Sequence, residues 1–243
     1  MFNFFRDQHV KDLTQITKFL RLHLDDFDRH RERVPEDLYD VTCFLMEENI
    51  DLYEAMGLLM RKHHFRSCIP LARSLLENAV TLKYIYATDS EKRAQNLKKT
   101  SQHSYLQRVR KQEDTETRAR VLEVFEGQLG DFNPRKDRAS VKTMFTELGM
   151  ERQYDEWYGR LSEFAHSRYR GNRDMAADRP FNNFMRQLVF KHVLLLILES
   201  IRVATERFDL DGGVMIIEDY PETGAVFFYS TNPKKMGPIG FPG

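Results

Sequence analysis

The stretch SCIPLARSLLENAVTLKYIYA, residues 67–87, carries the most regular helical pattern of the chain. Its apolar residues recur in alternating steps of four and three, which places them along one face of a helix. Pro70 is compatible with this helix because it falls in the first turn, where it removes no intrahelical hydrogen bond. The pattern predicts a helix that packs among other helices through the face formed by Cys68, Ala72, Leu75, Ala79, Leu82 and Tyr86.

Similar apolar spacing on both sides of this stretch predicts further helices. Upstream, a helix over about 7–33 precedes one from Pro35 to about Lys62, with the proline at the first helical position. Downstream, the pattern predicts helices over about 91–129 with a break near 113–114, over 140–149, over 152–167 and over 180–208. Two polar segments, 130–139 and 168–179, are predicted to be loops.

The last of these helices contains the apolar run Val193–Leu198, which leaves almost no polar face. Such a helix is expected at the centre of the bundle or also against a second subunit, as in a homodimer. After residue 213 the periodicity changes, and residues 214–217 and 225–229 predict a β-hairpin. An isolated hairpin is only marginally stable in water, so it is expected to dock on the bundle or on a partner chain.

The predicted fold class is therefore all-α, a multi-helix up-and-down bundle with a small C-terminal β-hairpin. The bundle is predicted to span residues 1–208 and the hairpin residues 209–231. The remaining segment, 232–243, is rich in proline and glycine and predicts an irregular tail.

Composition limits the partners and the compartment. The 37 Lys and Arg residues balance 37 Asp and Glu residues, so the chain lacks the basic excess typical of non-specific nucleic-acid binding, and any polyanion contact is expected to be local. Cys43 and Cys68 are too few for a disulfide framework and indicate free thiols in a reducing compartment. The first six residues lack the features of a signal peptide, and no apolar run is long enough to span a bilayer. These features predict a soluble cytoplasmic protein without membrane contact.

The absence of their motifs argues against several common enzyme classes. The sequence has no glycine-rich phosphate loop, no Walker-type motif, no paired-cysteine motif and no Gly-x-Ser-x-Gly elbow. Glu163 and His166 form a Glu-x-x-His unit of the kind used in di-iron bundles. A di-iron site needs a second such unit and two further glutamates, and no second copy is present. No metal and no cofactor are therefore predicted.

The stretch WYGRLSEFAHSRYRG, residues 157–171, carries the strongest functional signal. Arg160 is followed by five residues and then by His166, at the end of a predicted helix. Histidine suits acid–base chemistry near neutral pH because of its ordinary pKa. Arginine suits stabilisation of a phosphate because it presents planar, fixed donors. RNA cleavage without a metal needs both functions, so Arg160 and His166 are the candidate catalytic residues.

This Arg-x5-His arrangement resembles the Arg-x(4–6)-His motif of the HEPN superfamily. The segments Arg73-Ser-Leu-Leu-Glu77 and Leu161-Ser-Glu-Phe-Ala-His166 are also similar to an uncharacterised bacterial HEPN-like group, over about residues 35–205. The resemblance implies a helical bundle, often dimeric, and in many members a metal-independent ribonuclease of toxin–antitoxin, CRISPR or phage-defence systems.

Other charged residues are candidates for substrate binding, and for several of them a purely structural role is the alternative. Arg73 and Glu77 lie four apart and form either a surface ion pair or a partly buried pair that lines a cleft. The excess of Lys and Arg over 91–120 suits either a phosphate-facing surface or a solvated face. His166 can equally be a helix C-terminal histidine favoured by the helix dipole, and Arg160 an ion-pair partner of Glu156 or Glu163. The candidate substrate-binding residues are Arg73, Glu77, Glu163, Arg168, Arg170 and Arg173.

Two functions follow as hypotheses. The first is a metal-independent endoribonuclease of bacterial toxin or phage-defence type, in which His166 is the acid or base and Arg160 stabilises the phosphate. The second is a non-catalytic helical bundle that binds a protein, RNA or nucleotide partner through its arginine-rich loop. RNA and a protein such as an antitoxin are the candidate partners.

Overall fold

The amphipathic segments of the sequence form a helical bundle in the computed structural model of the protein. The backbone is described over residues 2–62, 64–111, 115–166, 184–210, 215–220, 225–230 and 239–241. Side chains are described over residues 10–62, 64, 66–111, 119–124, 127–163 and 184–210.

The first half of the bundle consists of long helices, and the second half contains shorter ones. The early helices are α1 (Phe2–Arg29), α2 (Glu36–Arg61), α3 (Cys68–Ala87), α4 (Ser90–Val109) and α5 (Thr115–Leu129). The later helices are α6 (Val141–Glu147), α7 (Glu151–Gln153), α8 (Arg160–His166), α9 (184–187) and α10 (Leu194–Phe208). Two π-helical turns, Tyr154–Gly159 and Leu188–Val193, connect α7 to α8 and α9 to α10.

Helix α3 lies at the centre of the bundle. It contacts α2, α4, α6, α8 and α10. The apolar face predicted for it is confirmed, because all six residues of that face, from Cys68 to Tyr86, are buried. Two buried tyrosines add hydrogen bonds between helices: Tyr86 and Thr42 are joined by a bond of 2.8 Å between their hydroxyl oxygens, and the Tyr53 hydroxyl donates to the Val189 carbonyl oxygen at 3.0 Å.

Several predicted boundaries differ from the structure. The first helix was predicted to run to residue 33, but it ends at Arg29 and a 3-10 turn, Arg31–Arg33, follows. Pro35 is the N-cap of α2 instead of its first helical residue. The helices predicted over 152–167 and 180–208 are each interrupted by a π-helical turn. By contrast, the predicted cap at Ser140 is confirmed, since its side chain accepts a hydrogen bond from the Thr143 backbone N–H at 3.1 Å.

The apolar run of the last helix is buried within this chain. Leu194, Leu196, Ile197 and Leu198 are each at most 5% exposed, whereas Glu199 is exposed. Helix α10 packs against α3 and against the second π-helical turn. None of the described helices combines the length and the apolar content that a membrane span requires.

The C-terminal segment contains three short strands, β1 (Met215–Tyr220), β2 (Ala225–Ser230) and β3 (Ile239–Phe241). Strand β2 is central and pairs antiparallel with both neighbours, with Ile217 opposite Phe228 and Phe228 opposite Ile239. The side chains of these strands and the segments between them lie outside the described residues. The predicted hairpin appendage and its docking on the bundle therefore stay predictions.

Both cysteines are free thiols, as predicted. Cys68 is 2% exposed and Cys43 is half-buried. Burial raises the pKa of each thiol to about 11, because the thiolate is poorly solvated there. Both side chains are consequently protonated at neutral pH, and neither is a reactive nucleophile.

The core contains one amide that can be tested by substitution. Asn49 is fully buried, and neither its amide nitrogen nor its amide oxygen has a hydrogen-bond partner among the described residues. A buried polar group without a partner costs about 1–3 kcal/mol. Asn49→Leu, which keeps the number and branching of the side-chain heavy atoms, is therefore expected to raise the free energy of unfolding by at least about 1 kcal/mol in urea denaturation. A loss of stability of that size would mean that the amide is hydrogen-bonded in solution.

Candidate functional site

Arg73, Glu77 and Tyr158 form a polar triad between α3 and the first π-helical turn. The Arg73 Nε donates to Glu77 Oε1 at 3.0 Å, and Arg73 Nη2 donates to the Tyr158 hydroxyl oxygen at 2.6 Å. The guanidinium carbon also lies 4.8 Å from the centre of the Tyr158 ring. The side chains of Arg73 and Glu77 are 25% and 34% exposed, so the pair is partly buried.

Contacts within the triad shift the pKa values of Arg73 and Tyr158. Burial opposes the charge on Arg73, but hydrogen bonds with Tyr158 and Glu77 outweigh burial and raise the pKa of the guanidinium. Burial, followed by the hydrogen bond to Glu77, raises the pKa of the Tyr158 phenol, and Arg73 opposes this shift. The phenol is therefore protonated at neutral pH, where its oxygen accepts from Arg73 and its O–H group is hydrogen-bonded to Glu77.

A pair of double-mutant cycles tests whether this burial strengthens the ion pair. Arg73–Glu77 and Arg152–Glu156 are both pairs four residues apart, at 3.0 Å and 2.7 Å, but the Arg152 side chain is 84% exposed. We expect a coupling energy of about 1–2 kcal/mol for the first pair and a clearly smaller one for the exposed second pair, measured by urea denaturation of the alanine variants. Equal coupling in the two pairs would contradict the partly buried triad.

The two π-helical turns contact each other. Trp157 of the first turn stacks on His192 of the second, with ring centres 4.6 Å apart and an interplanar angle of 23°. Tyr154 and Tyr158 stack within the first turn at 5.2 Å, and Tyr154 meets the buried Phe145 edge-on at 5.5 Å. π-helical turns are rare and are frequent at functional sites. These contacts hold the segment that leads directly into α8.

Helix α8 presents Arg160 at the surface. Leu161, the next residue, is fully buried and anchors the helix against the core, while Arg160 and Glu163 are exposed. The guanidinium carbon of Arg160 lies 5.4 Å from the centre of the Phe184 ring. Glu156, one predicted ion-pair partner of Arg160, pairs with Arg152, and within the described residues Arg160 makes no ion pair.

The other predicted site residues are described only in part. The backbone of His166 ends α8, but its side chain lies outside the described residues, as do Arg168, Arg170 and Arg173. Arg73 and Glu77 contact Tyr158, which lies two residues before Arg160, and α3 packs against α8. The structure thus brings this pair close to the start of α8. The sequence does not indicate whether the pair shares a cleft with His166, and the His166 side chain lies outside the described residues.

Among the described residues, no three His, Cys, Asp or Glu side chains lie close enough together to hold a metal ion. The Glu163–His166 unit is not covered by this statement, because the side chain of His166 lies outside the described part of the chain. The predicted absence of a metal site there stays a prediction.

Tyr158 and His192 were not predicted from the sequence as site residues. Each becomes notable through a contact with a residue distant in the chain, since Tyr158 binds Arg73 and His192 stacks on Trp157. The sequence offered one weak signal, namely the concentration of aromatic residues at 154–158 directly before Arg160.

Comparisons with known proteins identify a family and no activity. No curated protein matches the chain. No solved structure matches it either. Residues 39–182, a span that includes α3, the triad and α8, match the model of a family described as a family of unknown function, DUF5677. Because this match covers more than half of the chain, the protein belongs to the DUF5677 family.

Proposed function

We propose that the protein is a metal-independent endoribonuclease in which Arg160 stabilises the reacting phosphate and His166 transfers the proton. The observation that carries the proposal is that Arg160 is exposed and makes no ion pair within the described residues. Its guanidinium is exposed on a helix anchored by a buried leucine, and it is not neutralised by an ion pair within the described residues. An available cation of this kind suits a phosphate, and it lies on the same short helix as a histidine.

The chemistry needs only the RNA and these two side chains. The base removes the proton of a ribose 2′-hydroxyl, the oxygen forms a bond to the adjacent phosphorus, and the bond from phosphorus to the 5′-oxygen breaks. His166, the base in this step, then gives the proton that it has taken to the leaving 5′-oxygen, which yields a 2′,3′-cyclic phosphate and a 5′-hydroxyl end. Histidine serves this proton transfer near neutral pH, and the guanidinium of Arg160 offsets the negative charge that builds up on the phosphate oxygens.

The remaining parts of the proposal concern residues around the reaction. The exposed Glu163, the triad residues Arg73 and Glu77, and the arginines Arg168, Arg170 and Arg173 are proposed to position the RNA strand. The same proposal includes a homodimer and an HEPN-like up-and-down bundle on which the hairpin docks. It also includes a role in bacterial toxin or defence systems.

The choice of substrate tests the reaction directly. Labelled single-stranded RNA and DNA of the same sequence are incubated with the protein in EDTA. The proposal predicts cleavage of RNA alone, with 5′-hydroxyl ends, because DNA lacks the 2′-hydroxyl nucleophile. Cleavage of DNA, or cleavage of RNA only after a divalent metal is added, would contradict it.

The second candidate function is a bundle that binds RNA or another anionic partner without cutting it. The same exposed cation of Arg160 over the Phe184 ring favours this function, since cation–aromatic surfaces also suit binding. For this second function, a gel-shift assay is expected to show that the protein binds RNA and leaves it intact. Arg160→Ala is expected to weaken that binding.

A further inference from the structure

A cleft of about 610 Å³ lies between α3, α4, α6, the loop before α6 and the first π-helical turn, and Tyr158 is one of its lining residues. Its volume falls in the range typical of small-molecule sites. Arg160 and Glu163 are not part of its lining.

The charges of the cleft favour an anion. Its lining contains three cations, Arg93, Arg138 and Lys142, and one carboxylate, Asp137. The Asp137 carboxylate accepts a hydrogen bond from the Asn133 backbone N–H at 2.7 Å, so it is engaged in holding the loop. Arg138 and Lys142 are exposed, and within the described part of the chain neither makes an ion pair.

One wall of the cleft is fixed by Arg93. Its Nη2 donates to Glu147 Oε2 at 2.7 Å, and its guanidinium carbon lies 3.7 Å from the centre of the Tyr84 ring. The Arg93 side chain is only 15% exposed, which is unusual for an arginine and indicates a preformed position. The cleft therefore combines one rigid cation with two cations that have no ion-pair partner in the described residues.

The other walls are aromatic and polar. Tyr84, Tyr154 and Tyr158 line the cleft and are each half-buried. Tyr158 already contacts Tyr154 and the Arg73 guanidinium, so the rings that offer a face to a nucleobase are Tyr84, opposite the face covered by Arg93, and Tyr154, opposite the face stacked on Tyr158. Asn96 of α4 also lines the cleft, and its side-chain amide carries both a donor and an acceptor of the kind that reads the edge of a base.

We propose that this cleft is a nucleotide-binding site, in which the tyrosines contact the base and Arg138 and Lys142 bind the phosphate. The nucleotide is either a free nucleoside phosphate or one unit of an RNA strand, since the recognised chemistry is the same. Arg160 does not line the cleft, so binding of a nucleotide there is measured directly, without a cleavage assay.

Calorimetric titration of the full chain with mononucleotides tests the proposal. AMP, GMP, CMP and UMP are compared with ribose 5-phosphate, which lacks the base, and with a short RNA made resistant to cleavage by 2′-O-methyl groups. At least one nucleotide or the RNA is expected to bind, and ribose 5-phosphate at least about tenfold more weakly, because base stacking is lost. Preference for the RNA over free nucleotides assigns the site to an RNA strand. Absence of binding by all of these ligands, or equal binding of ribose 5-phosphate, overturns the proposal.

Matched variants locate the binding. Arg138→Ala and Lys142→Ala are each expected to weaken binding by about tenfold, the effect of one charge-assisted contact. Arg135→Ala and Lys136→Ala are the controls, because both residues are exposed in the same loop and neither lines the cleft. If the controls weaken binding as much as the cleft variants, the attraction is a general surface effect and the proposed site is wrong. All four positions are exposed, so folding is expected to be preserved and is verified by circular dichroism.

Discussion

Replacing Arg160 by alanine is expected to lower the rate of RNA cleavage by about 10²- to 10³-fold, the usual loss when one donor to a developing oxyanion is removed. The reason is that the guanidinium stabilises the reacting phosphate more than the resting one. Since Arg160 is exposed and its contact with the Phe184 ring is worth only about 0.5–1 kcal/mol, the fold is expected to survive the change. The rate is measured with excess protein over labelled RNA in EDTA.

Two further variants separate chemistry from general charge. Arg152→Ala removes an exposed arginine from the preceding α7 and is expected to leave the rate nearly unchanged. Arg160→Lys keeps the charge but loses the planar pair of donors, so an intermediate rate is expected. If Arg152→Ala slows cleavage as much as Arg160→Ala, Arg160 has no specific role in the reaction.

Replacing Phe145 by alanine is expected to lower the free energy of unfolding by about 3–5 kcal/mol. Phe145 is fully buried in α6 and meets Tyr154 edge-on at 5.5 Å, so the change leaves a cavity under the first π-helical turn. Urea denaturation followed by circular dichroism measures the loss. This is the largest stability effect that we expect from a single substitution near the site.

Two comparison variants test whether the loss of stability in Phe145→Ala comes from the loss of buried volume. Phe145→Leu keeps most of the buried volume and is expected to cost less than about 1.5 kcal/mol. Val124→Ala removes an apolar side chain that is 56% exposed and is expected to change stability by at most about 0.5 kcal/mol. A Phe145→Ala loss as small as that of Val124→Ala would show that α6 does not support the π-helical turn.

The helices of the bundle could be predicted because burial follows helical periodicity. The face of α3 from Cys68 to Tyr86 was recognised from steps of three and four residues alone, and the Ser140 cap from the residue type at a helix start. Boundaries were less predictable. The first helix ends before residue 33 and Pro35 is a cap, because competing local hydrogen bonds decide the last turn.

The π-helical turns and the triad could not be predicted from the sequence. The two π-helical turns meet through the stacking of Trp157 on His192, 35 positions further along the chain, and residue spacing within either segment does not indicate this contact. The bond from Arg73 to Tyr158 likewise joins residues 85 positions apart. Sequence spacing indicated that Arg73 and Glu77 share a helix face, but only tertiary packing could show which side chain completes the pair.

The central claim is that His166 transfers the proton in a metal-independent cleavage of RNA, and one comparison tests it most directly. Wild type, His166→Ala and the control His64→Ala, which changes an exposed histidine, are assayed on labelled RNA in EDTA. Folding of each protein is verified by circular dichroism. The account predicts cleavage by wild type and His64→Ala, and a loss of about 10²- to 10⁴-fold in His166→Ala. A folded His166→Ala protein that cuts RNA at the wild-type rate, or a wild type that does not cut RNA, would contradict it.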